Sequence, residues 1–166
     1  MGGAQATIDE RWNEFNLEGL WDGLAPLLLA GDEEFQRLHR LEHNQPNGAD
    51  RVTTQCDIRL IRHWVERRFR SADVEAWEDF RRRVIAPLET METGESGEIA
   101  AVFTSATPTA IWCGAALGIE NESIFRIAGV LQNSNYSTLR ISGGRMTLFS
   151  LNNAPHLMDA ELRTFR

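Results

Sequence analysis

The segment from Ile99 to Gly118 constrains this chain more than any other, because it prescribes a strand, a tight turn and a helix in direct succession. Ile99 to Phe103 is a short apolar run rich enough in Val and Phe to form a buried strand, and Ala101 and Val102 suit a parallel sheet. Thr107 then reads as an N-cap, Pro108 as the first helical residue and Gly118 as the residue just beyond the helix end at Leu117. A helix N-terminus at the carboxyl end of a parallel strand offers unpaired N–H groups and a positive dipole end to an anion. Thr104, Ser105 and Thr107 add hydroxyls at that point. Capping threonines at such turns are common without any ligand, so the feature marks a place rather than a function.

The flanking sequence supplies helices on one side and a hairpin on the other. An apolar segment runs from Leu17 to Leu29-Ala30-Gly31, and Gly31-Asp32 gives a turn and N-cap for a short helix with Phe35, Leu38 and Leu41 on one face. Asn44 to Gly48 ends that helix as a polar loop. Between Val52 and Phe69, Cys56, Leu60, Trp64 and Val65 fall near helical spacing, with Arg59, Arg62, Arg67 and Arg68 mostly on other, solvated faces. Asp73 can cap a further helix carrying Trp77, Phe80, Val84, Leu88 and Met91, which Pro87 should either kink or mark in its last turns, and Gly94 to Gly97 is a loop. From Tyr136 to Leu151, Leu139 and Ile141 alternate with polar residues, Gly143-Gly144 makes a two-residue turn, and Met146 and Leu148 return on the same pattern. This hairpin is expected to supply antiparallel edge strands to a mixed sheet.

At 166 residues and 42% hydrophobic, the chain suits one domain spanning residues 1–166. A net charge of −7 argues against a nucleic-acid surface, which needs a basic excess on some face. All 17 basic residues are Arg, so a Schiff-base or P-loop lysine is excluded and phosphate recognition falls to guanidinium or backbone N–H groups. No apolar run approaches the roughly 20 residues of a membrane span, and Met1-Gly2-Gly3-Ala4-Gln5 lacks the order of a secretory signal. A cytoplasmic protein without membrane partner is therefore expected, with Cys56 and Cys113 as reduced, buried thiols.

One local motif points to metal chemistry. His39, Glu42 and His43 match the H-x-x-E-H arrangement of inverted zinc peptidases, in which two histidines one turn apart share a zinc and the glutamate is the general base. No convincing third ligand is present, Glu120 and Glu122 being candidates by distance alone, and His43 stands where a helix dipole favours histidine anyway. The expectation is no metal and no cofactor, with the zinc hydrolase kept as a lesser alternative.

Several stretches together carry a family resemblance. The run from Ile99 to Gly118, the short Phe125-Arg126-Ile127 segment, the hairpin from Leu139 to Asn153 and Ala154-Pro155-His156-Leu157 resemble the C-terminal half of histidine phosphatases, the phosphoglycerate-mutase-like superfamily. Asp9 to Phe15 resembles the family's Arg-Leu-Asn-Glu segment, which implies that Glu14 is the proton donor to the leaving oxygen. Thr104, Ser105, Ala106 and Thr107 align with the family's Ser-His-Gly-Gly turn, so Ser105 stands in place of the second active-site histidine. Thr104, Ser105 and Pro108 also resemble a Thr-Ser-Gly-Gly-Pro version of the turn, from which Ala106 and Thr107 depart. Each added Cβ narrows the approach to a phosphate. Glu75 to Arg83 resembles a Glu-Ser-x-x-x-Phe-x-x-Arg stretch and is expected to serve helix packing, with Ala76 in place of the serine.

The family's nucleophile is not in this sequence: no Arg-His-Gly tripeptide occurs, and Arg62-His63 is followed by Trp64 within a helical pattern. The resemblance implies a truncated, three-layer α/β fold, with a mixed sheet flanked by helices, whose missing N-terminal part holds the phosphorylated histidine and the phosphate-clamping arginines. The inherited activity is phosphate-monoester hydrolysis on a small phosphorylated substrate, with Glu14 catalytic and Thr104, Ser105 and Ala106 binding phosphate. The chain alone is expected to be inactive. The alternative is a non-catalytic interaction module, a homodimer in which a second copy covers the strand edge that the missing part would cover.

Overall fold

The computed structural model describes residues 6–43, 54–68, 71–92 and 97–165. Its elements in chain order are α1 (Leu17–Gly31), α2 (Glu33–His43), α3 (Gln55–Val65), α4 (Trp77–Ile85), α5 (Pro87–Glu92), α6 (Ala106–Leu117), α7 (Asn121–Ala128), β1 (Tyr136–Ser142) and β2 (Arg145–Asn153). Short 3₁₀ turns at Glu10–Trp12 and Ala160–Leu162 flank them. The architecture is α/β, with helices preceding a C-terminal antiparallel hairpin.

Local chemistry accounts for most helix starts. Asn16 accepts the Gly19 N–H at 2.9 Å to open α1, and Asp32 accepts the Phe35 N–H at 2.8 Å to open α2. Thr54 and Asp57 form a reciprocal capping box at the start of α3. The expected cap by Asp73 does not form: α4 starts at Trp77, with Ala76 as a cap lacking a side-chain bond. Pro87 does more than kink the helix, because it divides it into α4 and α5 and opens the second piece, where its missing N–H costs nothing. The loop expected at Asn44 to Gly48, and most of that at Gly94 to Gly97, lie outside the described residues.

The core joins α1, α3, α4, α6 and α7 through large aromatic side chains. Phe15, Trp64, Trp77 and Phe125 pack in succession, tilted or edge-on, at centroid separations of 5.1, 5.3 and 5.2 Å. Their polar handles are used: Trp64 Nε1 donates to the Glu75 carbonyl and Trp112 Nε1 to the Val84 carbonyl, each at 2.7 Å. Cys56 and Cys113 are buried, as expected, and burial raises the pKa of Cys113. Leu41, expected on the buried face of α2, is exposed, whereas Phe35 is fully buried. Arg59 is not merely solvated, since it forms a two-pronged pair with Asp32 at 2.7 to 3.0 Å.

The hairpin forms as expected. Leu139 faces Leu148 and Ile141 faces Met146, and Gly143 and Gly144 adopt φ of +55° and +73°, as a type I′ turn requires. The sheet among the described residues holds these two strands. Ile99 to Phe103 differs from the buried parallel strand expected of it: it forms no strand and pairs with none among the described residues. Ile99 is 93% and Phe103 94% exposed. A run of β-formers states a preference, but a strand exists only when a second strand takes up its N–H and C=O groups.

Candidate functional site

The structure brings Glu14 to the turn before α6. Glu14 Oε2 accepts the backbone N–H of Thr107 at 3.1 Å, and Oε1 accepts the N–H of Phe15 at 3.1 Å. Thr104 Oγ1 donates to the Trp12 carbonyl at 2.6 Å, fastening the same turn from the other side. Two of the expected site elements, 93 residues apart in sequence, thus meet at one helix N-terminus.

The helix start corrects the local expectation. α6 begins at Ala106, so Ser105 rather than Thr107 holds the cap position, and Pro108 is the third helical residue. Ser105 makes no side-chain cap bond. Thr107 sits in the first turn, where an N–H has no intrahelical acceptor, and the Glu14 carboxylate supplies one from elsewhere in the chain. Gly118 ends the helix at φ +66°, as expected, with Ile119 N–H donating to the Gly114 carbonyl at 2.9 Å.

Of the expected phosphate-binding residues, Thr104 is exposed, and its hydroxyl is spent on Trp12. Ser105 has a buried Oγ with no hydrogen-bond partner among the described residues. An unsatisfied buried hydroxyl beside a helix N-terminus costs stability unless something else bonds it. Ala106 occupies the first helical position. Chemically, the arrangement joins a carboxyl group able to give or take a proton, a hydroxyl without a partner and the positive end of a helix.

The expected helix-packing stretch does more than pack. Arg83 of α4 pairs with Glu75 at 2.7 and 3.0 Å and donates to carbonyls of the turn that carries Glu14. Its partners are backbone oxygens, which leave no mark in the sequence, so no local motif could have revealed the contact. A cavity of about 260 Å³ lies elsewhere, among Trp64, Arg67, Trp77 and Arg82. Its arginines are engaged by Glu78 and Asp79, which makes it a poor anion receptor.

The remaining histidines stand apart from this site. His63 is buried against Asp32 at 2.6 Å, and His156 stacks on Tyr136 at 6.4 Å. His39 lies beside the Trp21 and Phe35 rings, and Glu42 accepts the Cys56 N–H at 3.2 Å, tying α2 to α3. The His43 side chain is outside the described positions, and no group of three metal-ligating side chains occurs among the described residues. No helix among the described residues is long and apolar enough to cross a membrane.

The profile of the histidine phosphatase superfamily (branch 1) matches residues 49–154. No curated protein and no solved structure gives a match. The matched span holds the turn from Thr104 to Thr107, the helix behind it and the hairpin, whereas Glu14 lies upstream and is joined to the turn by the fold. Covering more than half of the sequence, this match establishes that the chain belongs to the histidine phosphatase superfamily.

Proposed function

We propose that this domain supplies the leaving-group side of a phosphate-monoesterase site. Glu14 is the proton donor to the leaving oxygen, and Thr104, Ser105 and Ala106 form the turn that meets the phosphoryl oxygens of a small phosphorylated substrate. The observation that carries this reading is the Glu14 carboxylate 3.1 Å from the Thr107 N–H, at the one helix start where Ser105 leaves a hydroxyl without a partner. Stabilisation of a phosphoryl group in transfer is almost wholly positioning and charge, and here the helix end and Ser105 supply part of it.

The phosphohistidine is the part this sequence does not supply. It has four histidines and no Arg-His-Gly, and His39, His63 and His156 are engaged away from Glu14. By itself the chain therefore binds phosphate weakly and does not turn over substrate, and hydrolysis requires an Arg-His-Gly segment brought to the turn. Titration of the chain with inorganic phosphate, followed by amide NMR, should shift Ser105, Ala106 and Thr107. Unmoved amides there would sink the reading, and turnover of p-nitrophenyl phosphate that Glu14→Gln abolishes would overturn the expected inactivity.

A second reading, a homodimeric interaction module, is favoured by one observation. Ile99 and Phe103 stand almost fully exposed on a segment with no backbone hydrogen bond among the described residues from Glu98 to Thr104. Such a segment is a template for strand pairing with a second copy. Light scattering at micromolar concentration should give twice the calculated 18.8 kDa, falling to the monomer mass in Phe103→Glu. A monomer throughout removes this reading.

A further inference from the structure

Arg83 gathers more partners than packing requires. Its Nε and Nη2 donate to the two Glu75 carboxylate oxygens at 2.7 and 3.0 Å, a fork-to-fork pair that fixes the plane of the guanidinium. The Phe80 ring lies 4.7 Å beneath the guanidinium carbon and holds that plane from one side. So oriented, Nη1 donates to the carbonyls of Asn13 at 2.8 Å, Arg11 at 3.1 Å and Glu10 at 3.5 Å, and Nη2 reaches the Glu14 carbonyl at 3.5 Å. Thr104 takes the Trp12 carbonyl. Every carbonyl from Glu10 to Glu14 thereby has a donor from α4 or from the segment leading into α6.

We propose that Arg83 is a positioning residue for Glu14, with Glu75 as the residue that orients Arg83; this rests on the reading of Glu14 as the functional carboxyl. The side chain of Glu14 reaches Thr107 only from a backbone fixed in place, and the turn from Glu10 to Trp12 is too short to fix itself. Arg83 supplies what it lacks, a rigid array of donors on a neighbouring helix. A lysine in its place would keep the charge and lose the fork.

The test is a double-mutant cycle read at one amide. Arg83→Ala should accelerate hydrogen exchange at the Thr107 N–H about tenfold, by freeing the carboxylate that covers it, while amides in the middle of α1 are unmoved. Glu14→Ala alone should give the same acceleration, and Arg83→Ala on the Glu14→Ala background should add nothing at Thr107. Arg83→Lys should exchange like Arg83→Ala. Additive effects, or an unchanged Thr107 in Arg83→Ala, would overturn the proposal. Should Arg83→Ala not fold, Glu75→Gln serves instead, with about threefold acceleration that likewise vanishes without Glu14. Phosphate titration of the unmutated chain separates the two ideas: no response there, with the cycle intact, removes the phosphate reading and leaves Arg83 positioning Glu14.

Discussion

Asp32 and Glu14 are both carboxylates at helix starts, and they differ in how they came to be there. Asp32 caps the helix that immediately follows it, and Arg59 and His63 close around it from α3 until its side chain is 7% exposed. Glu14 meets a helix that begins 92 residues later, its carboxylate accepting the backbone N–H of Thr107 in the first turn of α6 and that of Phe15 beside it. A carboxylate enclosed by an arginine, a histidine and its own cap holds a fold together. One that crosses the chain to reach a helix start beside an unpartnered hydroxyl is, under the proposed function, the group that would meet a ligand.

The largest difference should appear on removing each group. Asp32→Ala leaves Arg59 and His63 facing a buried gap, and urea unfolding should show a loss of about 3–5 kcal/mol. Glu14→Ala should cost about 1 kcal/mol, the worth of a helix cap. Equal costs would erase the contrast between the two sites.

Acid should act on the first region next. Burial raises the Asp32 pKa, but hydrogen bonds from Arg59, the Phe35 N–H and His63 outweigh it and bring it from the ordinary 3.8 to about 2. A lowered folded-state pKa contributes stability that is present above the unfolded value and lost as pH falls through the folded one. Stability should therefore drop by roughly 2 kcal/mol between pH 4 and pH 2, and Asp32→Asn should flatten that part of the curve. Chemical denaturation at half-unit pH steps checks it; a slope that persists in Asp32→Asn assigns the effect to other carboxylates.

The smallest effect is the most telling for the second region. Ser105→Ala removes a buried hydroxyl without a partner, so the melting temperature should stay level or rise slightly, with a change within about 0.5 kcal/mol. The same substitution should weaken the response of the Thr107 amide to phosphate. A clear destabilisation would mean that the hydroxyl has a structural partner and would blur the comparison.

Legibility from the sequence followed the range of the interactions. Asp32 before α2 was readable because a cap acts on an N–H three residues away, and the hairpin was readable because Gly143-Gly144 sits between two alternating runs. The α6 cap was misread for the opposite reason. Thr107 is the kind of residue that caps its own helix, yet a carboxylate from the far end of the chain had already supplied that bond, and the helix began two residues earlier than Pro108 suggested. The family resemblance led to Glu14, whereas Arg83 and its ring of carbonyls gave no signal beyond a helix-packing pattern.

The sequence by itself determined helices α2, α3, α4 and α6, the two-residue hairpin turn and the family, because each rests on residues close together along the chain or on a pattern shared across it. Only the tertiary structure decided that Glu14 meets the start of α6, that Arg83 holds the turn carrying it, and that Ile99 to Phe103 stays unpaired among the described residues. Those outcomes depend on groups whose partners are backbone atoms of distant segments. A backbone N–H or C=O is the same at every residue, so the sequence cannot say which one a side chain will find.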